Sequence, residues 1–401
     1  MSDSINDTPR SGRLHIGIYG RRNAGKSSLI NAITGHETAI VSDTAGTTTD
    51  PVYKSMEIHG LGPCVLIDTA GFDDIGPMGE LRVEKTRLAL EKTDIALLVV
   101  TGGDLSYEKN WMAAFKERKT PFIVVLNKAD MHSKDALAAL VEQVKDELGQ
   151  KPVCVSAFKG TGVDRLREAM LRKMPADWGK LAITGHLCKE GDLVMLVMPQ
   201  DIQAPQGRLI LPQVQVTRDL LDKKCLVVSC TADKIQQTLD ALARPPHLII
   251  TDSQVFGEVW KQKPAESLLT SFSILMAGYK GDVRTFIEGA EAIDSLGPDS
   301  KVLIAEACTH APLAEDIGRV KIPARLRARY GESLSITMVS GTDFPEDLTQ
   351  YDLIIHCGAC MFNRTYMMSR IRKAKEQGVA ICNYGVALAK LTGILDKVEY
   401  V

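Results

Sequence analysis

The chain has 401 residues, 45% of them hydrophobic and 24% charged, with a net charge of −2. That length exceeds what one core usually spans, so two or three domains are expected. The near-neutral balance offers no global pull toward nucleic acid. The start, MSDSINDTPRSGR, lacks the apolar stretch of a secretory signal, and no apolar run reaches bilayer length. A cytoplasmic protein with no membrane partner is expected, in which the nine cysteines stay mostly reduced.

In chain order, residues 1–178 alternate strand-like runs (14–19, 63–67, 94–100, 122–126, 153–155) with amphipathic stretches. That rhythm predicts a mostly parallel sheet with helices on both faces. Residues 179–265 carry strand-like runs at 193–198, 214–216, 225–229 and 248–251 and a helical stretch at 231–243, but no chemical signature. Their cysteines, Cys188, Cys225 and Cys230, are scattered, as small buried hydrophobes are. Residues 266–401 alternate again, with strands at 301–306, 333–339, 352–355 and 379–382 and helices at 283–295, 324–330, 364–377 and 386–391. The expected fold class is therefore α/β, in three domains.

GRRNAGKS (20–27) follows the apolar LHIGIY and opens the helical SSLINAI. This strand–loop–helix context identifies a phosphate-binding P-loop. Gly20 and Gly25 let backbone N–H groups close around phosphate at a helix N-terminus. Lys26 is predicted at the β- and γ-phosphates and Ser27 at Mg²⁺. Asp68 of DTAG (68–71) acts on Mg²⁺ through a water, and the Gly71 N–H faces the γ-phosphate. Thr48, in GTTTD (46–50), is the expected switch contact to Mg²⁺ and γ-phosphate, with Thr47 as the near alternative. Asp130 of NKAD (127–130) can accept two hydrogen bonds from guanine, a donor pair that adenine lacks. SAFKGTG (156–162) closes over the base, with the Ala157 N–H toward guanine O6. Ala24, Ser28, Asn127, Lys128 and Ser156 complete the nucleotide-binding set.

These five elements resemble the translation-factor-type P-loop GTPases. Asn23, together with DTAGTTTD, is similar to the tRNA-modification GTPase subfamily, where the matching Asn helps hold K⁺ near the phosphates. Phe72 stands after DTAG where an apolar side chain cannot orient water, so slow intrinsic hydrolysis is expected. Glu80 matches the position of that subfamily's water-orienting Glu, but its surroundings, IGPMGELR, read better as a solvated helix start.

Cys308 and His310 follow the strand KVLIA; His356, Cys357 and Cys360 follow the strand YDLII. In a parallel sheet the carboxyl ends of both strands lie along one edge, where ligand crevices form. Cys382 ends a third strand there. Four readings of the residues stay open: a redox C-x-x-C resembling thioredoxin-like chemistry, a structural Cys₃His zinc site, a three-thiolate iron–sulfur cluster with one exchangeable position, or a packed core.

The whole chain resembles the [FeFe]-hydrogenase maturation GTPase family, HydF, on the GTPase motifs plus CTH (308–310) and HCGAC (356–360). The resemblance implies a [4Fe-4S] cluster on Cys308, Cys357 and Cys360, with His310 and His356 as further candidate ligands. It also implies a middle dimerisation domain and a C-terminal iron–sulfur domain. By the same resemblance the protein is a scaffold and carrier. It receives a di-iron precursor assembled with two radical-SAM maturases and delivers it to apo-[FeFe]-hydrogenase, and GTP serves partner interaction. The alternative is a regulatory or RNA-linked GTPase with a C-terminal structural zinc domain; no basic, aromatic-interleaved patch supports RNA contact.

Overall fold

The computed structural model describes residues 8–35, 51–71, 77–175, 178–179, 181–199, 209–307 and 317–401. The chain forms two compact units, Met1–Trp178 and Gly179–Val401.

The first unit runs β1 (Leu14–Gly20), α1 (Lys26–Thr34), β2 (Val52–Ile58), β3 (Gly62–Asp68), α2 (Pro77–Glu91), β4 (Ile95–Val100), α3 (Ser106–Glu117), β5 (Phe122–Leu126), α4 (Lys134–Leu148), β6 (Val153–Cys154) and α5 (Val163–Lys173). The strands lie in the order β2-β3-β1-β4-β5-β6, all parallel except β2, which runs antiparallel to β3. β1 and β4 are buried at every position. Strands covered on both faces read as unbroken apolar runs, which is why these two stand out in the sequence. β2 was not expected. Its sequence VYKSMEI carries a Lys and a Glu and is mostly half-buried at the sheet edge, so its signal is weak.

The second unit runs β7 (Leu193–Val197), α6 (Leu211–Asp222), β8 (Leu226–Cys230), α7 (Ile235–Asp240), β9 (Leu248–Thr251), α8 (Phe256–Gln262), β10 (Leu268–Ser271), α9 (Phe272–Lys280) and α10 (Val283–Ala290). It continues β11 (Lys301–Glu306), α11 (Ile322–Tyr330), β12 (Ser335–Ser340), β13 (Leu353–His356), α12 (Arg364–Glu376), β14 (Ala380–Asn383) and α13 (Tyr384–Leu391). Two all-parallel sheets result, β10-β9-β7-β8 and β12-β11-β13-β14. Their flanking residues share one apolar core that includes Met195, Ile249, Phe286, Ile304 and Ile354.

One expectation is corrected. Residues 214–216 form part of α6, not a strand. Val216 and Leu220, four apart, are fully buried, the spacing of one helix face; a three-residue Val-x-Val run cannot distinguish the two periods. β10 pairs with β9, Leu268 opposite Leu248, at the edge of the second sheet.

α10 packs directly on β14. A Cβ at Gly289 would stand 2.0 Å from the Ile381 carbonyl oxygen, whereas one at Gly297 would meet nothing within 4 Å among the described residues. Gly289→Ala is expected to destabilise the chain by at least about 1–3 kcal/mol. Gly297→Ala should stay within about 0.5 kcal/mol. The shift of the denaturant midpoint checks both.

Candidate functional site

In the first unit the strand order reverses at β1, which pairs with β3 on one side and β4 on the other. The crevice beyond the carboxyl ends at such a switch point is where open α/β sheets bind ligands. The P-loop leaves β1 there, and its glycines are dictated by close approach. A Cβ at Gly20 would lie 2.5 Å from the Val99 carbonyl oxygen, and one at Gly25, φ +89, would lie 2.3 Å from Asn127 Nδ2. Asn23 also takes left-handed φ, +60. Gly25 caps α1, so Lys26, Ser27 and Ser28 form its first turn.

Lys26 is buried, and its Nζ donates to the carbonyls of Gly20 and Arg21, both at 2.9 Å. The ammonium is thereby held inside the loop. Ser27 Oγ donates to Asp68 Oδ2 at 2.6 Å, so the hydroxyl and carboxylate expected around Mg²⁺ are in contact. Burial raises the pKa of Asp68, opposed by Ser27 and by the Lys26 charge; a bound divalent cation would favour the ionised form. Thr69, not singled out from sequence, donates from Oγ1 to the Ile18 carbonyl at 2.6 Å and pins the DTAG turn to β1. Its only signal is a hydroxyl in a turn of small residues. At Gly71 a Cβ would come within 2.7 Å of the Arg22 backbone nitrogen, so this turn lies against the P-loop. Thr48, Phe72 and the side chain of Glu80 lie outside the described residues.

Asn127 joins the phosphate and base halves. It is 1% exposed; its Nδ2 donates to the Ala24 carbonyl at 2.9 Å and its Oδ1 accepts from the Ala157 N–H at 3.1 Å. The Ala157 N–H, expected at guanine O6, is thus engaged by Asn127. Lys128 sits at φ +60, turning the chain so that Asp130 follows. Ser156 Oγ donates to Asp130 Oδ1 at 2.6 Å and holds that carboxyl below its ordinary pKa. An ionised, acceptor-only group is what a guanine-reading carboxylate must be.

In the second unit, β11 lies between β12 and β13, and the strand order reverses between β11 and β13. Ala305 is paired with His356 across these strands. Just beyond that pair, Cys357 Sγ accepts from the Ala307 N–H at 3.0 Å and from the Ala359 N–H at 3.5 Å. Ala359 takes left-handed φ, +52, bending Cys357-Gly-Ala-Cys360 back on itself. Burial pushes the Cys357 thiol up to about 11; the two N–H groups and Arg370 oppose this, while Cys360 adds to it. Cys360 is half-buried. Cys382 is fully buried on β14, and burial raises its pKa too, as for an inert core thiol.

His356 is fully buried. Arg370 can only donate, so its contact to Nε2 at 2.8 Å places the ring proton on Nδ1, which donates to the Cys357 carbonyl at 2.8 Å. Burial and the guanidinium push its pKa down to about 3. Both ring nitrogens are engaged, so a metal at Nε2 would require Arg370 to withdraw. Cys308 and His310 lie outside the described residues. Among the described residues no group of three or more His, Cys, Asp or Glu gathers to hold a metal. What the described part offers is one C-x-x-C with backbone N–H groups directed at its first sulfur. That donor set fits a thiolate-ligated iron–sulfur group, whose sulfurs are stabilised by such hydrogen bonds.

Three family models match the chain: the 50S ribosome-binding GTPase over residues 15–128, the hydrogen maturase F dimerization domain over 183–281, and the hydrogen maturase F tetramerization domain over 284–399. The tRNA modification GTPase MnmE of Aquifex aeolicus is 37% identical over 163 residues, 40% of this chain and 35% of its own length. GTPase Der of Wolinella succinogenes is 38% identical over 181 residues, 42% of this chain and 37% of its own. The chain therefore spans little more than a third of these relatives. Era, solved in complex with MgGDPNP and a 16S ribosomal RNA segment, shares 28% identity over 40% of this chain and 56% of its own, with a TM-score of 0.35.

Proposed function

The chain belongs to the hydrogen maturase F (HydF) family, and on that premise we propose that it is a scaffold that holds a [4Fe-4S] cluster and carries a di-iron unit to apo-[FeFe]-hydrogenase. It is a GTPase of hydrogenase maturation that binds GTP and GDP with Mg²⁺, and its dimerization and tetramerization domains make it an oligomer. In the proposal Cys308, Cys357 and Cys360 ligate the cluster. Three thiolates would leave one ligand place for His310, for His356 were Arg370 to withdraw, or for an exchangeable ligand. When bound, the cluster supplies an iron site that can take up and release such a ligand.

The observation that carries this reading is the N–H···S bond from Ala307, the residue before Cys308, to Cys357, just past the end of the neighbouring strand. Beyond ligation, the chain's own residues direct N–H groups at the sulfur. In the GTPase unit, Lys26, Ser27 and Asp68 bind the phosphates and Mg²⁺, and Asp130 reads the base. K⁺ beside Asn23 supplies further positive charge, and intrinsic hydrolysis is slow. GTP state alters contacts with the two radical-SAM maturases and the hydrogenase. No described helix is long and apolar enough to cross a membrane; a cytoplasmic place, without nucleic-acid or membrane partners, completes the proposal.

Metal analysis after anaerobic purification tests it. The protein is expected to be brown, with iron and acid-labile sulfide in comparable amounts. A colourless protein with stoichiometric zinc would overturn the reading in favour of a GTPase with a structural zinc domain. Hydrolysis is expected to run faster in K⁺ than in Na⁺ at equal ionic strength; equal rates would remove K⁺ from the proposal.

A further inference from the structure

Arg370, on α12, is 2% exposed, yet no carboxylate among the described residues pairs with it. NH1 donates to His356 Nε2 at 2.8 Å, and NH2 donates to the Gly341 carbonyl at 2.6 Å and to the Tyr366 hydroxyl at 3.2 Å. Nε has no hydrogen-bond partner among the described residues. The guanidinium carbon lies 4.6, 4.7 and 4.8 Å from the ring centroids of Phe344, Phe362 and Tyr366. Aromatic faces recover part of what the cation loses on leaving water, but a buried charge normally requires an opposite charge. The described surroundings offer only neutral acceptors. On the far side of His356, one residue along, stands Cys357, whose carbonyl His356 holds and whose sulfur collects two N–H groups.

We propose that Arg370 is the built-in counter-charge of the cysteine site and sets the reduction potential of the cluster bound there. The inference rests on the iron–sulfur reading above. A thiolate-ligated cluster is anionic, and taking one electron from a reductant such as dithionite makes it more negative by one charge. A cation fixed behind His356 favours that more negative form and raises the midpoint potential. Arg suits the place because it stays charged when buried and because its planar fork stacks on rings while donating in the plane. His356 then acts as a neutral spacer that fixes the guanidinium relative to the Cys357 backbone. A charge this deep is little screened by salt, so its influence persists at high ionic strength.

The test is a dithionite titration of the cluster-loaded full chain, followed by electron paramagnetic resonance, in the unmodified protein, Arg370→Met and Arg370→Lys. Arg370→Met is expected to shift the midpoint to more negative potential at both low and high salt, with iron and sulfide content unchanged, and Arg370→Lys to stay nearer the unmodified value. Should Arg370→Met fail to fold, Arg370→Gln, which keeps an amide donor for His356 and Gly341, carries the same comparison. Loss of the cluster from the neutral variants, with retention in Arg370→Lys, would equally support a charge role. Full clusters of equal potential in all variants would overturn the inference, as would cluster loss in Arg370→Lys as well. An unmodified chain that binds no iron–sulfur cluster would instead sink the reading beneath it.

Discussion

Asp130→Asn is expected to lower GTP affinity by about 10²–10⁴-fold, since two hydrogen bonds to an ionised acceptor are each worth about 1.5–3 kcal/mol and 1.4 kcal/mol is tenfold. The effect is large because Asp130 is pre-set. Ser156 holds one carboxylate oxygen at 2.6 Å and keeps the group ionised, so a ligand meets an oriented acceptor with no rotamer left to fix. An amide there turns one acceptor into a donor facing the guanine N–H groups. The same donor suits a carbonyl at the base's second position, so affinity for xanthosine triphosphate should rise as that for GTP falls. Competition against a fluorescent GTP analogue measures both. Unchanged GTP affinity would mean that the base is read elsewhere.

The second large effect separates the two units. Cys357→Ser and Cys360→Ser are each expected to strip most of the iron while leaving GTP hydrolysis within about twofold, because the nucleotide motifs and the cysteines belong to different compact units, and substitutions that share no partners usually act independently. Cys382→Ser is the control. Its thiol is fully buried and has no hydrogen-bond partner among the described residues, so a hydroxyl there should destabilise by about 1–3 kcal/mol yet leave iron bound. Iron content and hydrolysis rate, measured on the same preparations, distinguish ligation from packing. Equal iron in all three variants and the unmodified protein would remove the C-x-x-C from the site.

How much of this could be read from sequence follows from burial. The central strands announce themselves because both faces are covered; β2 does not, because an edge strand half-faces solvent, and α6 misleads because two valines two apart fit either period. The nucleotide motifs are legible since phosphate binding demands glycines and a lysine at fixed spacing along one strand–loop–helix. Asn127 was placed in that set by its motif, but its bridging of Ala24 to Ala157 depends on two loops meeting in space. Arg370 is the extreme case. Within RTYMMSRIRKAKE it reads as one more solvated basic residue, and only the position of α12 against β13 reveals a buried cation on His356. The approach of Ala307 to Cys357 was foreseeable in kind, from two cysteine motifs each ending a strand, but the N–H···S bond itself requires the register of β11 on β13.

In the proposed reading Cys357 and Cys360, with Cys308, hold a cluster with one exchangeable position. Electron paramagnetic resonance of the anaerobically purified, reduced protein, with and without added imidazole or cyanide, tests it most directly. The expected result is the signal of a reduced [4Fe-4S] cluster whose g-values move when the added ligand binds. Absence of any iron–sulfur signal, or a cluster signal indifferent to both ligands, would contradict it.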